Sequence, residues 1–179
     1  MKTIVIDAGH GGYDPGAVYG SRLEKDDNLK MALAVQKNLQ SLGSAEQKII
    51  MTRSTDIFIP LAERSAISNN NNADIFISVH RNAAEDKSVN GFETFVQTNS
   101  PPINTTYAKN VHNEIVDVGV QTDRGVKQGN YSVLRNTNAP AMLLELGFIT
   151  NDKDNQLFDQ HLDAYAAAIA RGILKSLGE

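Results

Sequence analysis

Apolar and polar positions alternate along this chain at two different periods. Residues 3–7, 48–52 and 74–79 are short runs rich in Ile, Val and Phe, which suits strands buried on both faces. Residues 92–97 alternate instead: Phe92, Thr94 and Val96 fall on one face, Glu93 and Phe95 on the other. The last strand is predicted within "PAMLLELGF", continuously apolar except at Glu145. A further short strand is predicted at 131–134, in the turn-rich stretch "TDRGVKQGNYSVL".

Between these runs the period becomes helical. Leu29, Leu33, Leu39 and Leu42 predict a first helix over about 27–42, with Gly43 as a left-handed cap. Pro60 suits the first turn of a second helix, which frays into the asparagines that follow Ser68. After Pro101-Pro102, Ala108, Val111, Ile115 and Val118 mark a third. Asn151 can cap a short helix with Asp154 three residues on. The final helix should bury Leu162, Ala166, Ile169, Ile173 and Leu177 and stop at Gly178. Strand and helix in alternation predict an α/β fold with a mostly parallel sheet covered on both faces. No repeat or linker divides residues 1–179, so a single domain is expected.

Composition narrows the chemistry. The net charge of −4 and the lack of a Lys/Arg stripe speak against nucleic acid as a partner. The absence of cysteine excludes disulfides, thiolate catalysis and Cys-type zinc sites, without fixing the compartment. The apolar runs fall far short of a membrane span, and the N-terminus does not read as a signal peptide.

Three polar residues share an unusual position. His10 follows the first strand, His80 follows the third, and Glu145 lies near the end of the last. Open α/β sheets bind ligands at the carboxyl ends of their strands. Glu24, just before the first helix, could fold back to the same edge. His10, Glu24 and His80 then form a donor set that suits Zn²⁺ with one position left open. Glu145 would remain free to move a proton, its pKa raised by its apolar neighbours Leu143, Leu144, Leu146 and Phe148. Each residue also has a plainer reading. A lone histidine after a strand is usually a turn residue. Glu24 could be an exposed helix-start carboxylate favoured by the macrodipole. Asp7 either orients a ligating imidazole or merely ends a strand. Glu93 is either a buried acid near the site or a solvent-face residue. His112 and His161 read as surface. "GHGGYD" lacks the third glycine of a dinucleotide loop, and no phosphate loop, HExxH or GxSxG occurs.

Four segments in order, "IVIDAGHGGYDPGA", "LEKDDNLKMAL", "ISVHRNAA" and "APAMLLELGFITN", resemble the signature segments of zinc-dependent N-acetylmuramoyl-L-alanine amidases. This is the catalytic domain shared by bacterial autolysins, spore-lysis enzymes and some phage endolysins. "TR" at Thr52-Arg53, "LAERSAISN" and "RGVKQGNYSVLRNTNAPA" also fit, so the likeness runs from Lys2 nearly to the C-terminus. The resemblance implies a twisted, mainly parallel six-stranded sheet flanked by helices. It implies zinc ligands at His10, Glu24 and His80, a catalytic glutamate at Glu145, and peptidoglycan as substrate, cut at the bond between N-acetylmuramic acid and L-alanine. Action would be at the cell wall, by a monomer. Arg81 stands where the family often has a small residue, and would contact an acidic peptide stem or point to solvent. Asn82 fits the family as a substrate-contacting or supporting residue. A zinc peptidase acting within the stem and a non-catalytic wall-binding module are the rival readings.

Overall fold

A computed structural model describes residues 1–43 and 47–179. Its centre is a six-stranded sheet of β1 (Lys2–Ala8), β4 (Gln47–Met51), β5 (Ile75–Asn82), β6 (Phe92–Gln97), β7 (Asp123–Gly129) and β8 (Ala141–Phe148). The strand order is β4-β1-β5-β8-β6-β7. The pairs β4–β1, β1–β5, β5–β8 and β6–β7 are parallel, whereas β6 meets β8 antiparallel. The expected α/β domain is therefore present, with the last two strands of the order running the other way. A two-stranded ribbon, β2 (Val18–Tyr19) and β3 (Arg22–Leu23), lies outside this sheet.

The sheet is covered unevenly, and the side-chain alternation of its strands records the difference. Ile4, Ile6 and Ala8 of β1, Ile75, Ile77 and Val79 of β5, and Met142, Leu144 and Leu146 of β8 enter one large core. That face carries the long helices α1 (Glu24–Leu42), α3 (Pro102–Val118) and α6 (Leu162–Leu177), with α5 (Asp152–Gln160) adding Phe158. The opposite face has a small core of Val5, Phe76, Val133, Leu134, Ala141 and Leu143. Only α2 (Leu61–Asn70) and the single turn α4 (Ser132–Arg135) reach it. These two elements are too short to cover the whole face. The uncovered part of the sheet becomes a cleft.

Several expectations shift in register. The helix predicted from Asp27 begins at Glu24, and its buried stripe is Asn28, Met31, Val35 and Leu39, with Leu33 and Leu42 exposed. Gly43 ends that helix in an extended conformation and not a left-handed one. The strand expected at 131–134 lies earlier, as β7, and residues 132–135 form α4. Turn-forming residues at 129–131 separate the two, and the weak hydrophobic pattern there left the period ambiguous. Asn151 caps α5 as expected, accepting from the Asp154 backbone N–H at 3.0 Å. Gly178 ends α6 in the left-handed region.

Close packing of α3 on α6 depends on Gly172. A Cβ built there would lie 2.5 Å from Cα of Val111, a backbone atom that cannot swing aside. Gly172→Ala should therefore cost about 1–3 kcal/mol, read as a lower urea midpoint at unchanged slope. An unchanged midpoint would mean that the two helices separate without penalty.

Candidate metal centre and cleft

The β1 strand ends at Ala8, and the next residues turn sharply over the sheet edge. His10 adopts φ 60°, a left-handed conformation that costs a non-glycine residue roughly 1–2 kcal/mol. Two buried arginines hold the segment in place. Arg53 donates to the carbonyls of Ala8 and Gly9, both at 2.9 Å. Arg64 donates to Ala8 O at 2.7 Å and to His10 O at 2.8 Å. Carbonyl oxygens alone do not neutralise such charge. Buried Asp7 supplies a counter-ion, pairing with Arg64 at 2.8 Å and accepting from Thr52 and Ser78 at 2.7 and 2.6 Å. Asp7 reaches neither imidazole. Its contribution to His10 passes through Arg64 and the backbone.

The orienting contact foreseen for Asp7 is made by Asp14 instead. His10 Nδ1 lies 2.8 Å from Asp14 Oδ2. Asp14 Oδ1 also accepts from the Gly16 backbone N–H at 3.1 Å, which fixes the carboxylate. This contact orients the ring through Nδ1 and turns Nε2 toward Glu24. The i,i+4 spacing of His10 and Asp14 was the only sequence signal, and a turn of this shape gives that spacing no general meaning.

Glu24 opens α1, where the ribbon β2–β3 feeds into the helix. Its carboxylate is buried between the two histidines: Oε2 is 3.2 Å from His10 Nε2, and Oε1 is 2.9 Å from His80 Nδ1. The backbone N–H groups of Ala17 and Arg81 and the Asn28 amide donate to the same carboxylate at 2.9, 3.2 and 3.3 Å. Glu24 is thus no solvated helix start. His10, Glu24 and His80 each offer a donor atom, and these atoms lie within 4.8 Å of one another. The electrostatics favour positive charge here. Burial alone would raise the Glu24 pKa, yet its hydrogen bonds to both imidazoles hold it well below the usual range. Burial would lower that of His10, but the hydrogen bonds and charges of Glu24 and Asp14 outweigh it, raising it to about 9. Gly9 makes room for the second imidazole, since a Cβ there would meet His80 Cε1 at 2.2 Å.

Glu145 stands beside this group, paired in register with His80 on one side and Glu93 on the other. Its Oε2 is shielded from solvent and finds no hydrogen-bond partner among the described residues. Burial pushes its pKa up to about 7; the charge of His80 opposes the rise, and Glu24 and Glu93 add to it. Of the apolar neighbours expected to surround it, only Leu143 shares its strand face and the cleft. Leu144 and Leu146 point into the opposite core. Glu93 is a buried acid, held by Asn82 at 2.6 Å and by Arg124 and Lys127 from β7. The cleft over these groups encloses about 610 Å³, with Phe58, Leu61 and Tyr131 among its walls.

Three expectations need correction. Arg81 borders the cleft, but its side chain is 0% exposed, pairs with Asp27 and donates to Asn155 Oδ1 at 2.6 Å, over the Phe158 ring. Its alternation places it on the face opposite His80, where the long helices bury it. His112 is not surface. It stacks on Phe92 and bridges Thr94 and Asp123 at 2.9 and 2.8 Å, tying α3 to the sheet. His161 is half-buried where α5 meets α6, its ring 5.9 Å from that of Tyr165. Asn82 stays at the cleft, where it fixes Glu93.

Residues 4–175 match the family model described as N-acetylmuramoyl-L-alanine amidase. The sporulation-specific N-acetylmuramoyl-L-alanine amidase of Bacillus subtilis is 35% identical over 173 residues, covering 96% of this chain and 65% of that protein. The amidase CwlM of Bacillus licheniformis is 36% identical over 172 residues, with 96% and 66% covered. This chain therefore spans just under two thirds of the length of each. The solved catalytic domain of the amidase CwlV from Bacillus (Paenibacillus) polymyxa var. colistinus superposes with a TM-score of 0.93 at 36% identity, covering 99% of both chains. A match over nearly the whole length, on a sheet whose strand ends gather these groups, shows that the chain belongs to the N-acetylmuramoyl-L-alanine amidase family.

Proposed function

We propose that this chain is a zinc-dependent amidase that acts at the bacterial cell wall. It would hydrolyse the peptidoglycan amide joining the lactyl group of N-acetylmuramic acid to L-alanine. The observation that carries this reading is the convergence of His10, Glu24 and His80 beside the unpartnered carboxylate oxygen of Glu145. Two imidazoles and one carboxylate suit zinc better than magnesium or calcium, which prefer all-oxygen shells. The surroundings fit too, because the hydrogen bonds to Glu24 favour its anionic form and Asp14 orients the His10 ring through Nδ1, with Nε2 turned toward Glu24.

When bound, zinc supplies Lewis acidity, which acidifies water and polarises a carbonyl oxygen. The other steps belong to the chain. Glu145, at the end of β8, accepts the proton of the attacking water on its carboxylate. It then returns that proton to the alanine nitrogen as the C–N bond breaks. A pKa near 7 suits both halves of this exchange at neutral pH. Leu143 and the cleft walls keep bulk water from competing for that proton. Arg124 and Lys127 neutralise Glu93, and Asn82 donates a hydrogen bond to it, so that two adjacent strand carboxylates can coexist.

Three outcomes follow. Glu145→Gln should keep zinc at wild-type stoichiometry and lose at least about 100-fold in turnover. New L-alanine amino termini, measured by mass spectrometry of digested walls, report the turnover, and normal release by this variant would end the mechanism. Gly9→Ala should displace the His80 ring and weaken zinc binding by about 10–100-fold, measured by competition with a chromophoric chelator. Unchanged affinity would remove His80 from the ligand set.

The third outcome concerns stability without metal. A carboxyl whose pKa rises from 4.5 to about 7 on folding favours the native state at acid pH, and that advantage is lost as pH climbs through 7. Glu145→Gln has no such charge to bury. In chelator it should exceed wild type in stability by roughly 1–3 kcal/mol at pH 8 and by much less at pH 5. Urea midpoints at the two pH values read this, and an equal difference at both would refute the raised pKa.

A further inference from the structure

The cleft has one wall that the chemistry of amide hydrolysis does not use. Phe58, Ile59 and Leu61 line it, and the loops around it, 11–18 and 56–61, carry Tyr13, Val18, Ile57 and Leu61. These are four of the eight strongly exposed large apolar side chains among the described residues. Tyr13 is 79% exposed, Leu61 57% and Ile57 48%. Tyr13 lies over Phe58 with ring centroids 4.3 Å apart and planes inclined by 30°. One face of Tyr13 is therefore supported and the other open. Phe58 and Leu61 continue the surface into the cleft that holds His10, Glu24 and Glu145.

This surface rests on a rigid base. Asp56 accepts from the Gly12 backbone N–H at 2.8 Å and from Lys25 at 2.6 Å, and Lys25 also donates to the Gly12 carbonyl at 2.9 Å. A Cβ at Gly12 would lie 2.7 Å from Phe58 N, and one at Gly11 would lie 2.2 Å from Ile57 O. The two loops thus touch backbone to backbone, and both glycines have positive φ. An exposed tyrosine ring held at a fixed spacing on a half-buried phenylalanine is the kind of apolar feature that marks a binding surface.

Strand order indicates what should bind there. Across the sheet, Phe58 follows β4, His10 follows β1, His80 and Glu145 occupy β5 and β8, and Arg124 and Lys127 come last on β7. The reacting amide would thus have an aromatic wall on one side. On the far side, outside the cleft lining, Arg124 and Lys127 are both paired with Glu93. The bond has a sugar on one side and a peptide bearing carboxylates on the other. The flat C–H face of a pyranose and its N-acetyl methyl match the aromatic wall.

We propose that Tyr13 and Phe58 form a saccharide subsite that stacks a hexosamine of the glycan strand beyond the muramoyl residue whose amide is cut, and so sets the direction in which peptidoglycan crosses the cleft. This rests on the amidase reading above, and binding can be tested apart from catalysis. Zinc-loaded protein labelled with ¹⁵N is titrated with a peptide-free glycan tetrasaccharide. Wild-type protein should show shifts confined to residues 11–18 and 56–61, and Tyr13→Ala should weaken binding about tenfold with zinc affinity unchanged. Tyr13→Trp should restore binding. On substrates, Tyr13→Ala should raise KM for polymeric glycan and leave kcat, and the rate on a single-sugar muramoyl peptide, as in wild type. No binding by wild type, shifts at Arg124 and Lys127 instead, or equal losses on both substrates would overturn the subsite. Glycan binding at the aromatic wall without any amide hydrolysis would instead overturn the amidase reading and leave the saccharide site standing.

Discussion

A carboxylate buried between two imidazoles is the constraint on which this molecule turns. Taking Glu24 out of water is costly unless every lone pair finds a donor. The chain meets that demand with two backbone N–H groups, one amide and two histidines, drawn from the loop after β1, the N-terminus of α1 and the end of β5. Removing any one of these elements leaves a buried charge unsatisfied. The geometry of the cluster is therefore held by the fold itself.

The strain at His10 and the uneven sheet serve the same end. Arg53 and Arg64 grip successive carbonyls from Ala8 to His10, and Asp7 holds Arg64 from beneath. On the other side of the sheet, Arg81 and Asp27 lock β5 to the first turn of α1, so that His80 and Glu24 move as one body. The long helices bury that face completely. The short α2 and α4 leave the other face open above Glu145, where burial is deep enough to raise its pKa and shallow enough to admit a ligand.

The strands and the long helices were legible because their hydrophobic periods are strong: Ile75–Val79 is apolar except at Ser78, Ala141–Leu144 is apolar throughout, and the buried stripe of α6 is apolar from Tyr165 to Leu174. His10, His80 and Glu145 were legible because a polar residue at the end of a buried strand has few structural reasons to be there. Glu24 was not legible on local grounds, since a helix-start acid usually faces water. Its convergence on the histidines depends on the β2–β3 ribbon, which two-residue strands do not announce. Arg81 and His112 were misread for a related reason. A charged or titratable side chain is buried only when partners distant in sequence, here Asp27 and Asn155 or Thr94 and Asp123, come to meet it. Asp14 took the part expected of Asp7 because a left-handed His10 turns its ring away from the strand axis.

The central claim is that one zinc ion sits among three side chains remote in sequence. Anomalous diffraction from crystals grown with zinc, recorded on either side of its absorption edge, tests this most directly. A single strong peak within bonding distance of His10 Nε2, a Glu24 carboxylate oxygen and His80 Nδ1 is the predicted result. A zinc peak elsewhere, or none between those atoms in crystals that hold the metal, would contradict the account.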